Sequence, residues 1–329
     1  MDWKGKKVIV TGACGFIGSH LVEALLALGA SVRAFTYYNS FNSWGWIDTF
    51  DDELQSKLDV YCGDIRDAYN VRDALDGMDI VFHLAALIAI PYSYIAPASY
   101  VKTNIEGTLN IVQAAKDFKT QRIIHTSTSE VYGTARYVPI DEGHPLAGQS
   151  PYSATKIGAD AIAESFFRAF SLPITIVRPF NTYGPRQSAR AIIPTIITQI
   201  ESGAKRIKLG SQHPTRDFTF VKDTVSAMIR LAQTQESIGT VTNIGSNFEI
   251  SIGNLTTKIM RLMDAELTIE FDEKRARPSN SEVERLLADT TRLAATGWQP
   301  SYSLDDGLSE TIQWIRRHID KYKADIYNV

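Results

Sequence analysis

The chain has 329 residues, 44% of them hydrophobic and 22% charged, and a formal net charge of −3. This is the composition of a globular protein with one large domain or two smaller ones, and without a long basic run it gives no ground for nucleic acid or an anionic membrane as partner. No apolar run approaches the ~20 residues that span a bilayer, and Met1-Asp2-Trp3-Lys4-Gly5-Lys6-Lys7 lacks the apolar core of a secretion signal. Cys14 and Cys62 are the two cysteines; a structural disulfide is not expected, and a reducing cytoplasm is.

In chain order, Val8-Ile9-Val10 reads as a short buried strand, followed by Thr11-Gly12-Ala13-Cys14-Gly15-Phe16-Ile17-Gly18 and a helix from about Ser19 to Leu28. Strand, glycine loop and helix together suit a dinucleotide: the glycines allow a tight turn, and the pyrophosphate rests on the helix N-terminus. Ser31 to Phe35 is the second strand. The acid that usually holds the ribose of NAD is missing after it, where Thr36-Tyr37-Tyr38 stands. No arginine follows to hold a 2′-phosphate either, so NAD and NADP both stay open.

Leu58 to Cys62 is the third strand, and Asp64 after it is either an adenine contact or a turn aspartate. Asp79 to Ala86 contains the fourth, where Ala85 and Ala86 are small enough for a cofactor to lie close and His83 reads as a packed core histidine. A helix over Ser99 to Phe118 carries Asn104, which either bridges strands near the site or lies on a solvated face.

Arg122-Ile123-Ile124-His125 is the next strand, and its C-terminal end bears Ser127-Thr128-Ser129-Glu130. Open α/β sheets place their ligands at that end. Pro151 then opens a helix in which Tyr152 and Lys156, four apart, share a face. An ammonium beside a phenol favours the phenolate, so this Tyr is a candidate base for a substrate hydroxyl. Taken alone, the pair is also compatible with a mere helix surface; the strand-end cluster and the glycine loop argue against that.

Ile174 to Val177 is a further strand. Alternation of strands and helices to this point predicts a doubly wound parallel α/β sheet of Rossmann type over residues 1–178. The remainder, 179–329, reads as a smaller substrate domain with some segments returning to the first. It has helices near Ile192–Glu201, Lys222–Gln233, Ile252–Met263 and Leu304–His318, and a strand at Val241–Ile244. Arg186, Arg216, Arg275 and Arg277 are read as loop arginines that either face a diphosphate or serve solubility.

These motifs together resemble the extended short-chain dehydrogenase/reductase family over nearly the whole chain. They are Thr11-Gly12-x-x-Gly15-Phe16-x-Gly18, Gly63-Asp64, His83-x-Ala85-Ala86, Asn104-x-x-Gly-Thr, Tyr152-x-x-x-Lys156 and Arg178-Pro179-x-Asn181-x-Tyr183-Gly184-Pro185. Arg216-Asp217-Phe218 and Arg277-Pro278 are similar to that family's sugar-nucleotide enzymes. Cys14 and Thr36 depart from the pattern. The resemblance implies NAD, or NADP, held by Gly12, Gly15, Phe16, Ile17, Gly18, Thr36, Asp64, Ile65, Ala85, Ala86, Asn104, Tyr152, Lys156 and Pro179. It implies a nucleotide-sugar substrate held by Thr128, Asn181, Arg186, Arg216 and Arg277, no metal, and a homodimer joined by a four-helix bundle.

The carboxylate after Thr128 looks most like a 4,6-dehydratase acting on a UDP- or GDP-N-acetylglucosamine, of the kind found in bacterial deoxysugar and nonulosonic-acid pathways. Its catalytic residues would be Thr128, Ser129, Glu130, Tyr152 and Lys156. The related dTDP-glucose dehydratases carry Asp where Ser129 stands, so the group that protonates the leaving oxygen is left open between Glu130 and Ser129. A UDP-glucuronate decarboxylase, another nucleotide-sugar epimerase or reductase, and a non-catalytic nucleotide sensor are the alternatives.

Overall fold

The computed structural model describes residues 2–275 and 283–323; Arg277 and Pro278 lie outside the described residues. Six strands alternate with helices in the first half: β1 (Lys7–Thr11), β2 (Ser31–Tyr37), β3 (Asp59–Gly63), β4 (Ile80–His83), β5 (Arg122–Thr126) and β6 (Ile174–Pro179). Shorter strands follow: β7 (Asn181–Tyr183), β8 (Arg206–Leu209), β9 (Thr215–Phe220), β10 (Val241–Ile244), β11 (Glu249–Ser251), β12 (Thr268–Phe271) and β13 (Arg285–Leu286).

Seven strands form one sheet in the order β10-β6-β5-β4-β1-β2-β3, with every pairing parallel. Helices cover both faces, which is why Val8, Ile9 and Val10 can all be apolar in succession and all be fully buried. The fold is a Rossmann-like α/β fold.

The second half returns to this sheet. Helix Val221–Gln233 packs Val225, Met228 and Leu231 into the same core as Val8, Val10 and Leu21, and β10 then pairs with β6. A later segment with Leu293 and Trp298 packs into the same core. The other late strands form a small sheet, β11-β9-β13 with β7 also on β9, and a parallel pair, β12-β8. Their core draws on helices Ile192–Glu201, Ile252–Leu262 and Leu304–Arg317, through Ile196, Ile259, Leu308 and Ile312.

Two elements differ from their sequence reading in a way that matters for the site. The glycine-loop helix begins at Phe16, not Ser19, so Phe16, Ile17 and Gly18 form its first turn. The single helix expected over Ser99–Phe118 is three pieces: Pro97–Tyr100, a π-helical stretch Val101–Glu106, and Gly107–Asp117. π insertions of this kind widen one turn and are frequent at functional sites. Here the wide turn holds Asn104, which is buried.

Candidate active site

Strand order reverses between β1 and β4, so the loops leaving these two strands diverge and open a crevice. Thr11 closes its floor. Its hydroxyl oxygen accepts the amides of Leu84 and Ala85, each at 3.1 Å, and hydrogen-bonds His83 Nδ1 at 2.8 Å. His83 Nε2 meets Thr108 Oγ1 at 3.1 Å. Burial holds this imidazole well below its ordinary pKa, aided by the neighbouring His125 and Lys156, so it is a neutral core group, as its sequence context suggested.

The three motif glycines have different jobs. Gly12 has φ +72°, and a Cβ there would lie 2.9 Å from Ala85 N. A Cβ on Gly18 would lie 2.1 Å from Gly12 O. Both are required by the fold itself. Gly15 has φ −83° and serves as the helix N-cap, with no capping side chain and no acid in the first turn. Its missing side chain leaves the first-turn amides open to an anion. This cradle suits a pyrophosphate.

At the far end of the crevice Thr36 is fully buried, and its hydroxyl pairs with Cys62 Sγ at 3.3 Å. Asp64 caps its own turn by accepting the Arg66 amide at 2.9 Å and forks with the Arg66 guanidinium at 2.5 and 2.9 Å. Of its two sequence readings, these are the contacts of the turn aspartate. Ile65 is buried against Gly107.

The candidate catalytic residues gather where β5 ends. Thr128 is the N-cap of a 3₁₀ turn, Ser129–Tyr132; its oxygen accepts the Glu130 amide at 3.2 Å. The same hydroxyl hydrogen-bonds the phenol of Tyr152. Ser129 is buried within this turn, and the charge of Glu130 from the same turn acts on that phenol. Helix Pro151–Phe170 starts sharply because Pro151 follows a reciprocal cap between Ser150 and Ser153. Tyr152 and Lys156 lie on its buried face.

The expectation that Lys156 holds Tyr152 as a phenolate is corrected in one respect. Lys156 Nζ donates to Thr126 O at 2.7 Å, and burial pulls its pKa down to about 8. Burial raises the Tyr152 phenol above its ordinary range; the Thr128 hydrogen bond opposes this and the Glu130 carboxylate adds to it. In the protein alone burial thus favours the neutral phenol.

Asn104 does not lie on a solvated face. It accepts the Leu87 amide at 2.9 Å and donates to Leu87 O and to Thr155 Oγ1, both at 3.0 Å. It thus ties the segment after β4 to the Tyr152 helix, and its amide is filled by these bonds.

One residue of the site escaped the sequence reading. Asp160, one turn beyond Lys156, accepts Ser127 Oγ at 2.7 Å and Arg178 Nη2 at 3.0 Å and faces His125 Nε2 at 3.3 Å. Its i+4 spacing from Lys156 was a visible signal. Arg178 Nη1 in turn donates to the Tyr132 hydroxyl at 3.1 Å, which donates to Asn243 Oδ1 at 2.7 Å.

The profile of the GDP-mannose 4,6 dehydratase family matches residues 9–311. The chain belongs to that family. A low-salt glycan biosynthesis protein of Haloferax volcanii is 34% identical, over 93% of this chain and 97% of its own length. A UDP-N-acetyl-alpha-D-glucosaminuronate decarboxylase of Bacillus cytotoxicus is 32% identical, over 94% and 98%. Among solved structures, a double mutant of the dTDP-glucose 4,6-dehydratase of Streptomyces venezuelae, with NAD bound, superposes with a TM-score of 0.87 at 28% identity, over 96% of this chain and 98% of that one. The family is a branch of the NAD-dependent extended short-chain dehydrogenase/reductases, which hold nucleotide-sugar dehydratases, epimerases and decarboxylases.

In this member of the family the arginines of the second half stand in unlike places. Arg186 is buried, and its guanidinium forks onto Glu23 of the glycine-loop helix at 2.6 and 2.9 Å, over the face of Phe50. Those contacts commit it to joining the two halves and take away the support for a diphosphate role. Arg216 is not in a loop: it is buried in β9 and donates to Thr215 O at 2.9 Å. Arg275 ends a 3₁₀ turn and pairs with Asp272. Pro179 is buried at the end of β6, and Asn181, half-buried, opens β7.

Proposed function

We propose that the protein is a sugar-nucleotide 4,6-dehydratase acting on a UDP- or GDP-N-acetylglucosamine. The observation that carries this is a carboxylate, Glu130, placed beside the Tyr152 phenol by the same turn whose cap, Thr128, hydrogen-bonds that phenol. An epimerase needs only the phenol and the hydroxyl. An elimination needs a second base.

NAD, cradled at Gly12 to Gly18, supplies reversible hydride acceptance. Tyr152 takes the proton of the sugar C4 hydroxyl, and Thr128 orients that oxygen. Lys156 supplies positive charge to the phenolate. The resulting 4-ketone acidifies the C5 proton, which Glu130 removes. The C6 hydroxyl leaves as water, protonated by Glu130 or by Ser129; return of the hydride to C6 and of a proton to C5 then completes the 4-keto-6-deoxy product and leaves no net change in the cofactor. Arg216 and Arg277 serve the diphosphate, and Asn181 the sugar.

We also propose a homodimer through helices Pro97–Asp117 and Pro151–Phe170; exposed Ile95, Val101, Leu109 and Phe170 support it. A cytoplasmic setting fits two free thiols, Cys14 and Cys62. Among the described residues no helix is long and apolar enough to cross a membrane.

Incubation of the purified protein with NAD and the two nucleotides tests the reading. Product lighter by one water, with no net change in nicotinamide absorbance, is expected. Loss of carbon dioxide from UDP-glucuronate without reaction on the hexosamines would favour the decarboxylase.

A further inference from the structure

A hollow of about 310 Å³ opens along the segment after β4, starting at Ala86. It is lined by Leu87, Ile88 and Ala89, from the segment after β4, and by Tyr92 and Tyr100. The Tyr100 ring meets that of Tyr152 edge-on, with centroids 6.3 Å apart, so one side chain separates the hollow from the Tyr152 ring. Its wall is held firmly: Tyr100 donates to Ala89 O at 2.5 Å, and Asn104 bonds both backbone groups of Leu87.

One cation completes the lining. Arg190 comes from the connection between β7 and helix Ile192–Glu201 and so reaches the hollow from the other half of the molecule. Its Nε donates to Ser188 Oγ at 3.2 Å. None of the ion pairs among the described residues includes Arg190, unlike Arg186 nearby.

An apolar wall with a single strong donor suits few groups. A bare hydroxyl would leave Leu87, Ile88 and Tyr92 uncovered, the last two exposed to solvent. A carboxylate would pair with the guanidinium but leave the same apolar wall uncovered. An amide with a methyl group has one apolar end and one good acceptor.

We propose that this hollow seats the acylamino substituent of the sugar, with the acyl methyl on the wall at Leu87, Ile88 and Tyr92 and the acyl oxygen accepting from Arg190. The inference rests on the nucleotide-sugar reading above and names the residues that would separate N-acylated from plain hexoses.

The NAD-loaded protein is titrated calorimetrically with UDP-N-acetylglucosamine against UDP-glucose, and with the matched GDP pair. The acylated member should bind more tightly. Arg190→Met should weaken it by about 10- to 100-fold, the size of a hydrogen bond to a charged group, and leave the plain hexose unchanged. Ala89→Leu, which fills the hollow, should do the same, with melting temperatures near the parental one for both variants. Equal affinity within each pair, or equal loss on Arg190→Met, overturns the proposal. So does a loss confined to UDP-glucuronate, which would give Arg190 to a sugar carboxylate. Turnover separates the two readings. Acyl selectivity that depends on Arg190 without dehydrated product sinks the dehydratase and keeps the hollow's role; dehydration of both members at rates indifferent to Arg190 does the reverse.

Discussion

Arg178 Nη2 lies 3.0 Å from Asp160 Oδ2, with both side chains buried and Asp160 one helical turn beyond Lys156. Burial lowers the Lys156 pKa to about 8, and Asp160 is the neighbour that works against this. Asp160 itself stays ionised despite its burial, held by His125, Arg178 and Lys156. Buried, it acts on the ammonium through charge and is read as a positioning residue.

Asp160→Asn therefore has two expected effects. Lys156 is cationic below its pKa, so losing the anion moves that pKa further down. The alkaline limb of kcat should shift to lower pH, while the rate at pH 6 falls less. The buried Arg178 charge also loses its partner, which costs about 3–5 kcal/mol and should lower Tm. An unmoved alkaline limb at reduced Tm would leave Asp160 with a purely structural role.

The glycine loop gives a paired test. Gly18→Ala puts a Cβ 2.1 Å from Gly12 O, and Gly15→Ala puts one no closer than 3.2 Å to the same atom. Gly18→Ala should lose stability by about 1–3 kcal/mol or more, as overpacked sites do. Gly15→Val should keep a near-parental Tm and lose NAD binding, because its side chain grows over the open first-turn amides. NAD titration beside thermal melting separates the two. A Gly15→Val variant that binds NAD like the parent would remove the pyrophosphate from this loop.

Much of this site was legible in the sequence because its signals are local. Tyr152, Lys156, Thr128 and Glu130 lie within one strand-end and one helix start, where spacing and capping chemistry dictate which side chains meet. Central strands of the main sheet such as β1 announced themselves as apolar runs, since the middle of a parallel sheet is buried on both faces. Strands β7, β11 and β13 did not, as two or three residues carry no period. The π turn at Asn104 was illegible too, as the partners of that residue, Leu87 and Thr155, are distant in the chain. Arg186 shows the same limit, because the acid it pairs with, Glu23, lies 163 residues away in the chain.

The assembly is tested through Val101 and Leu109, both exposed on the stretch Val101–Asp117. If these side chains meet a second copy, Val101→Glu with Leu109→Glu should give a monomer by light scattering at micromolar concentration, with the fold intact by circular dichroism. A parental protein that is already monomeric there would sink the four-helix bundle.

Glu130 decides the reaction class. It follows Thr128 by two residues in a turn capped by that threonine, and its carboxylate is close enough to Tyr152 to raise the phenol's pKa. It can therefore reach the sugar held against Tyr152 without being the group that accepts the C4 proton. Glu130→Gln preserves size and removes the base. Positioned acid–base groups contribute about 10²–10⁴-fold, so water loss should fall by that factor. Oxidation at C4 uses Tyr152 and Thr128 and should survive, so reduced nicotinamide should build up on the enzyme and be seen by its near-ultraviolet absorbance. Tyr152→Phe should give neither reduced cofactor nor product. Parental turnover by Glu130→Gln would make Glu130 structural and take away the main support for a dehydratase. Failure to reduce the cofactor at all would place Glu130 in the oxidation step or in holding the substrate, and the division of labour between the two residues would be wrong.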